Sequence, residues 1–148
     1  MALKLSTGLR NKILDNGSLK ALLAGGLIKI YSGTPPAAAG DAIGGGNTLL
    51  CTVSLNSTGT GINFDTNAAN GTLSKAPGEV WSGVNANTGT ASFYRHVAAG
   101  DTSGSSATEA RLQGLIGTSG AELNLSSVAL VAAATQTIDY YSVTLPTL

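Results

Sequence analysis

The sequence predicts an all-β fold: a β-sandwich, jelly-roll or immunoglobulin-like, behind a short N-terminal helical segment. Three observations lead there. Helical spacing of apolar residues is confined to residues 1–25. After it, runs of alternating apolar and polar residues recur along the chain. Gly- and Asn-rich punctuation separates those runs, rather than the helices that parallel βαβ units need.

Residues 1–25 read as a helical arm. Leu5, Leu9 and Ile13 recur at i, i+4, i+8, one face of a helix. Thr7 or Ser6 can cap its start, and Asn16-Gly17 suits a left-handed stop. Ser18 can cap a second short turn through Leu19, Leu22 and Leu23, ended by Gly25-Gly26. The stripe is too narrow for a free helix in water, so it is expected to pack on the sandwich or on a partner.

Residues 26–148 read as the β domain, with about six to eight short strands. Leu27-Ile28-Lys29-Ile30-Tyr31 opens it, and Leu49, Cys51, Val53 and Leu55 alternate with Leu50, Thr52 and Ser54. Residues 90–97 (TASFYRHV) alternate with aromatics; Leu112, Gly114 and Ile116 alternate with Arg111, Gln113 and Leu115. Residues 122–131 are strand-like, with Ser126-Ser127 marking a bulge or a break. Residues 135–145 (TQTIDYYSVTL) form the strongest strand, stopped by Pro146. Turn signals stand at Thr58-Gly59-Thr60-Gly61, Asn70-Gly71, Asn87-Thr88-Gly89 and Gly117-Thr118-Ser119-Gly120.

One connection is anomalous. Between the first two strands lies "YSGTPPAAAGDAIGGGN", whose only charge is Asp41. Connections in compact domains run roughly 4–6 residues, and disordered linkers carry more charge. Two readings stand: a surface loop without fixed structure, or an arm at 33–46 that orders against a neighbour. In the second, small side chains let the backbone lie close, and Thr34-Pro35-Pro36 stiffens it in extended form.

Composition narrows the function. The chain has 148 residues, 43% hydrophobic and only 11% charged, with net charge +0. That argues against a general nucleic-acid binder, which needs clustered Lys and Arg. So little charge also protects poorly against association, which favours a protein that works assembled. The charges are uneven. Lys4, Arg10, Lys12, Lys20 and Lys29 face Asp15 alone at the N-terminal end, and Arg111 faces Asp101, Glu109, Glu122 and Asp139 late in the chain. The single Cys51 makes no internal disulfide. The opening MALKLSTGLRNK is basic without an apolar run, so no signal peptide is expected, and no run nears the ~18 apolar residues of a membrane span. Synthesis in a cytosol follows as the default.

No constellation for chemistry is legible. Cys51 and His96 are the only Cys and His, but Cys51 sits on an apolar strand face, and His96 follows Arg95 on a strand expected to show alternate residues to solvent. They cannot alone build a zinc site. Asp65-Thr66-Asn67 starts like a calcium loop and fails at Ala69, Asn70 and Ala76. Gly44-Gly45-Gly46-Asn47 lacks the Lys-Ser/Thr of a phosphate loop. Asn56-Ser57-Thr58, Asn70-Gly71-Thr72 and Asn124-Leu125-Ser126 match the glycosylation pattern by chance of composition, and the carboxylates are scattered. The expectation is a non-enzyme without cofactor or metal. Trp81 reads as sandwich core, with a sugar platform as the other reading. Of the adjacent Tyr140 and Tyr141, one is expected in the core and the other exposed or at an interface.

Three segments carry a resemblance: "LSTGLRNKILDNGSLKALLAGGLIKIYSGTPPAAAGDA", "LSKAPGEVWSGVNANTGTASFYRHVAAGDT" and "ARLQGLIGTSGAELNLSSVALVAAATQTIDYYSVTLP". Together they cover most of the chain, and it resembles a family of small virion proteins encoded by tailed double-stranded DNA phages. The resemblance implies a capsid decoration, or cement, protein: a self-associating β-sandwich on the capsid surface, made in the bacterial host cytoplasm. Its partners would be the major capsid protein and itself, as dimer or trimer, with no nucleic acid and no membrane. A tail, baseplate or head–tail connector position is the alternative. A carbohydrate-binding module stacking sugars on Trp81 and Tyr141 is the third reading. The residues expected at an interface are Leu5, Leu9, Ile13, Thr34, Pro35, Pro36, Trp81 and Tyr141.

Overall fold

The computed structural model describes residues 3–15 and 17–145. The fold class is the one expected: mostly β, 37% strand and 10% helix, with the helices short and N-terminal. The expected helix stop at Asn16 and strand stop at Pro146 lie outside the described residues. The chain runs β1 (Lys4–Leu5), α1 (Thr7–Asp15), α2 (Leu19–Leu23), β2 (Leu27–Tyr31), β3 (Leu49–Leu55), β4 (Thr72–Ser74), β5 (Trp81–Val84), β6 (Gly89–Thr90), β7 (Phe93–Val97), β8 (Arg111–Gly117), β9 (Leu123–Asn124), β10 (Ala129–Leu130), β11 (Thr135–Ile138) and β12 (Ser142–Thr144).

Local chemistry sets the helices. Ser6, not Thr7, caps α1: its Oγ accepts from the Leu9 N–H at 3.1 Å. The same hydroxyl donates to the Glu109 carbonyl at 2.7 Å and accepts from Arg111 N at 3.0 Å, tying the cap to β8. Ser18 caps α2 through the Ala21 N–H. Gly25 then takes φ +71°, and a Cβ on Gly26 would stand 2.1 Å from the Val97 carbonyl, so both glycines are required where the chain turns into β2.

The strands form an eight-stranded sheet in the order β1-β8-β7-β2-β3-β5-β11, with β9 added parallel to β8 and every other pair antiparallel. Residues directly opposite one another share a face. One face therefore carries the row Leu5, Leu112, His96, Ile28, Val53 and the row Gly114, Tyr94, Ile30, Cys51. This is the core. It is closed by Leu9 and Leu23 from the helices and by Leu73, Val143, Leu130 and Ala91 from around the two small sheets, β12–β4 and β10–β6. The opposite face carries Lys4, Gln113, Arg95, Lys29 and Thr52 in one row.

Two strand expectations change, and the break expected at Ser126-Ser127 is present. Residues 135–145 are not one strand: β11 pairs with β5, β12 pairs with β4, and the chain breaks between them because the Tyr141 ring turns into the core. Residues 122–131 break at Ser126-Ser127 into β9 and β10. In β3 the register slips between Ile30 and Tyr31, so Cys51 and Leu49 face consecutive partners and Leu50 is the extra residue. Leu50 is fully buried, which strict alternation does not anticipate.

Leu9 is fully buried against this core, so the narrow stripe of α1 closes on its own chain. Leu9→Asp would place an unpaired carboxylate there, and is expected to lower the unfolding free energy by at least ~3 kcal/mol. Leu14→Asp, on the same helix but 83% exposed, should change it by less than ~0.5 kcal/mol. Urea unfolding followed by circular dichroism measures both; equal effects would contradict the packing.

Candidate functional site

The 33–46 segment is neither a free arm nor an unstructured loop. It lies on the polar face of its own sheet, and that face is built to hold it. Arg95 is 2% exposed in the middle of β7. Its Nη1 donates to the Asp41 carbonyl at 2.7 Å, its Nη2 to the Ala38 carbonyl at 3.3 Å, and its Nε to Gln113 Oε1 at 2.8 Å. Gln113 Nε2 donates onward to the Pro36 carbonyl at 2.9 Å, and Lys4 Nζ to the Ala37 carbonyl at 2.8 Å. Arg111, two residues from Gln113 and on the same face, reaches the Gly40 carbonyl at 3.4 Å and the Gly104 carbonyl at 2.7 Å.

This explains the composition of the loop. Its carbonyls must approach a row of buried donors, and bulky side chains would hold them off. A Cβ on Gly40 would stand 2.7 Å from the Ser106 carbonyl, and Ala39 is itself buried. Asp41 makes the turn, its Oδ2 accepting from Ala38 N at 2.8 Å. Asn47 closes the loop by donating to the carbonyls of Ser32 and Thr34.

A second loop flanks the first. Arg111 is fully buried and pairs with Asp101 Oδ2 through Nε at 2.5 Å and with Glu109 through Nη2. The Thr102 backbone N–H, and then Arg111, hold the Glu109 carboxyl below its usual range. Burial, reinforced by the nearby Arg111 charge, presses Arg95 below the usual guanidinium value. Lys29 Nζ donates to Ser103 Oγ at 2.6 Å. The polar row is thus a clamp for two loops, with its donors directed at protein carbonyls, carboxylates and the Ser103 hydroxyl.

The other concentration of polar atoms is inside the core. His96 sits among the rings of Phe64 (5.4 Å between centroids), Tyr141 (5.8 Å) and Trp81 (6.3 Å). Neither imidazole nitrogen has a hydrogen-bond partner of acceptable geometry, and the hydroxyls of Tyr94 and Tyr141, though near one another, also lack one. Burial pushes the His96 pKa down to about 4, against a weaker upward pull from the Leu23 backbone. It pushes the Cys51 thiol up to about 11. Cys51 and His96 lie on the same face with β2 between their strands, and are not brought together. Among the described residues no group of three His, Cys, Asp or Glu could hold a metal ion. Among the described residues no helix is long and apolar enough to cross a membrane.

The expected interface residues divide sharply. Leu9, Trp81 and Tyr141 are buried, so none can meet a partner or stack on a sugar. Trp81 is anchored by its Nε1, which donates to Glu79 Oε2 at 2.7 Å, and by the Tyr141 ring at 5.6 Å. Of the tyrosine pair, Tyr140 is the exposed one. Thr34, Pro35 and Pro36 reach the surface only as part of the clamped loop, and Leu5 and Ile13 are half-buried against the core. Sequence reasoning missed Arg95, Gln113 and Arg111. The signal was present: long polar side chains at alternate positions of two neighbouring apolar strands describe a polar row that something must cover. Among the described residues the exposed large apolar side chains are Leu14, Val80, Val84, Val131, Tyr140 and Leu145.

No protein-family model matches this chain, and no curated protein or solved structure matches it.

Proposed function

We infer that the protein is a structural protein of a tailed-phage virion that decorates the capsid and stabilises the shell by bridging capsid subunits, in multiple copies. The observation that carries this is the pairing of a charge-poor exterior with a clamped polar row: only 11% of residues are charged, and Arg95, Arg111 and Gln113 are consumed in holding loops rather than aimed at a pocket. A surface ordered in advance loses little entropy on docking. Packaged DNA strains the junctions between capsid subunits, and each bridge adds buried area that must be broken before subunits part. Stable contacts bury on the order of 1,200–2,000 Å², and weaker ones add when one oligomer engages several sites.

Cryo-electron microscopy of particles from the encoding phage tests this. Density for this chain across capsomer junctions is the expected result; density confined to the tail or baseplate would replace the reading with the connector alternative. Purified protein that is monomeric and shows no affinity for shells stripped of it would overturn the capsid reading.

A further inference from the structure

We propose that the outer edge of β11 is a self-pairing surface: two copies of the chain join β11 to β11, antiparallel, about a twofold axis through Gln136. This goes beyond the capsid reading by naming one contact between copies.

The backbone directions come first. Asn56 N donates to the Val80 carbonyl at 2.8 Å, so that residue turns its backbone toward β3. Asn85 N donates to the Ala134 carbonyl at 2.9 Å and its carbonyl accepts from Ala133 N at 2.8 Å, so this odd-numbered residue turns toward β11. Backbone groups alternate along an antiparallel strand. Gly83 and Trp81 therefore bond β11, and their partners Gln136 and Ile138 are satisfied there. Thr135 and Thr137 turn their N–H and C=O groups the other way. Among the described residues no strand pairs with that side.

Natural sheets guard such edges with lysine, proline, a bulge or an inward charge. The opposite edge of this sheet is guarded: β1 is two residues long and carries Lys4. β11 reads Thr-Gln-Thr-Ile, with no charge, proline or glycine.

A second copy is the occupant that fits. With the axis through Gln136, Thr135 meets Thr137 of the second copy in a hydrogen-bonded pair, and Thr137 meets its Thr135. The two Gln136 residues face each other in the close, non-hydrogen-bonded position. Val84 lies opposite Thr135 and Ser82 opposite Thr137 within one chain. The row across the joint is then Val84, Thr135, Thr137, Ser82, uncharged throughout, with the 55%-exposed Val84 drawn beside the seam. No like charges meet. The outward backbone groups of Thr135 and Thr137 are satisfied across the seam, the Thr137 carbonyl exchanging the bond it accepts from its own Gln136 Nε2 at 2.9 Å for one from the second copy.

The test is a cysteine. In this register Gln136→Cys brings two thiols across a non-hydrogen-bonded pair, within the reach of a disulfide. Under mild oxidation it should form a covalent dimer at least tenfold faster than Thr118→Cys, a control in an exposed loop, while Cys51 stays buried and supplies the wild-type background. Adding Thr137→Lys should cut the Gln136→Cys rate to the control level without changing the circular dichroism spectrum. A Gln136→Cys rate no faster than the Thr118→Cys control overturns the proposal. If such a protein still decorates particles, only the edge contact falls. If it crosslinks but leaves particles bare, the capsid reading falls and the self-pairing stands.

Discussion

Arg95→Ala should lower the unfolding free energy by about 3–5 kcal/mol and release the 33–46 loop. The substitution removes a guanidinium that is 2% exposed and donates to two loop carbonyls and to Gln113. Three acceptors lose a charge-assisted donor, and each buried group left unpaired costs about 1–3 kcal/mol, less where water can enter. The emptied volume adds a packing loss. Two measurements check this: the denaturant midpoint, and cleavage by elastase at Ala37, Ala38 and Ala39, which the clamp holds against the sheet. Arg95→Lys should recover only part, since an ammonium cannot reproduce the fork that reaches Asp41, Ala38 and Gln113 together. A loop that remains resistant to elastase in Arg95→Ala would mean that Gln113, Lys4 and Arg111 hold it without help.

The same residues show where a sequence can and cannot be read. Ser6 and Ser18 as caps, Gly25-Gly26 as the exit from α2, and Asn70-Gly71 as a tight turn with φ +51° and +72° were legible because each is decided within a few residues. The break between β11 and β12 was not: Tyr140 and Tyr141 are both good strand residues, and only the ring cluster of Phe64, Trp81 and Tyr94 draws Tyr141 inward. Alternation along Phe93–Val97 separates two faces correctly but does not say what covers the second one. That is a long-range fact, set by a loop some fifty residues upstream in contacts such as Arg95 with Asp41. The loop announced itself by composition, since only small residues tolerate so close an approach. Composition leaves two readings open, a loop without fixed structure or an arm on a neighbour, and the surface the loop approaches is the chain's own. Trp81 takes the core reading and Tyr141 is the core member of its pair; the interface reading of both fails because aromatic residues serve interfaces and cores alike.

The pH dependence of stability should be dominated in mild acid by His96. Its folded pKa is lowered to about 4 from 6.5. Between those values the unfolded chain binds a proton that the folded chain does not, so stability rises with pH across that window. The stabilisation is complete above pH 6.5 and is lost progressively as pH falls through 6.5 toward 4, by about 3 kcal/mol. The cause is visible in the surroundings: Phe64, Trp81 and Tyr141 rings on the core side, Ile28 and Leu112 alongside, and, among the described residues, no carboxylate acting on the ring. Glu109 and Glu79 are both held low, chiefly by hydrogen bonds from Thr102 in the one case and from Asn63 in the other, so their own losses fall at more acid pH. His96→Phe, or His96→Leu if the larger ring overpacks, should therefore flatten the profile between pH 6.5 and 4 while leaving the more acid limb in place. Denaturant unfolding at half-unit pH steps on wild type and variant reads the difference directly. Parallel profiles would mean that His96 is protonated in the folded protein, and that the ring cluster around it admits water.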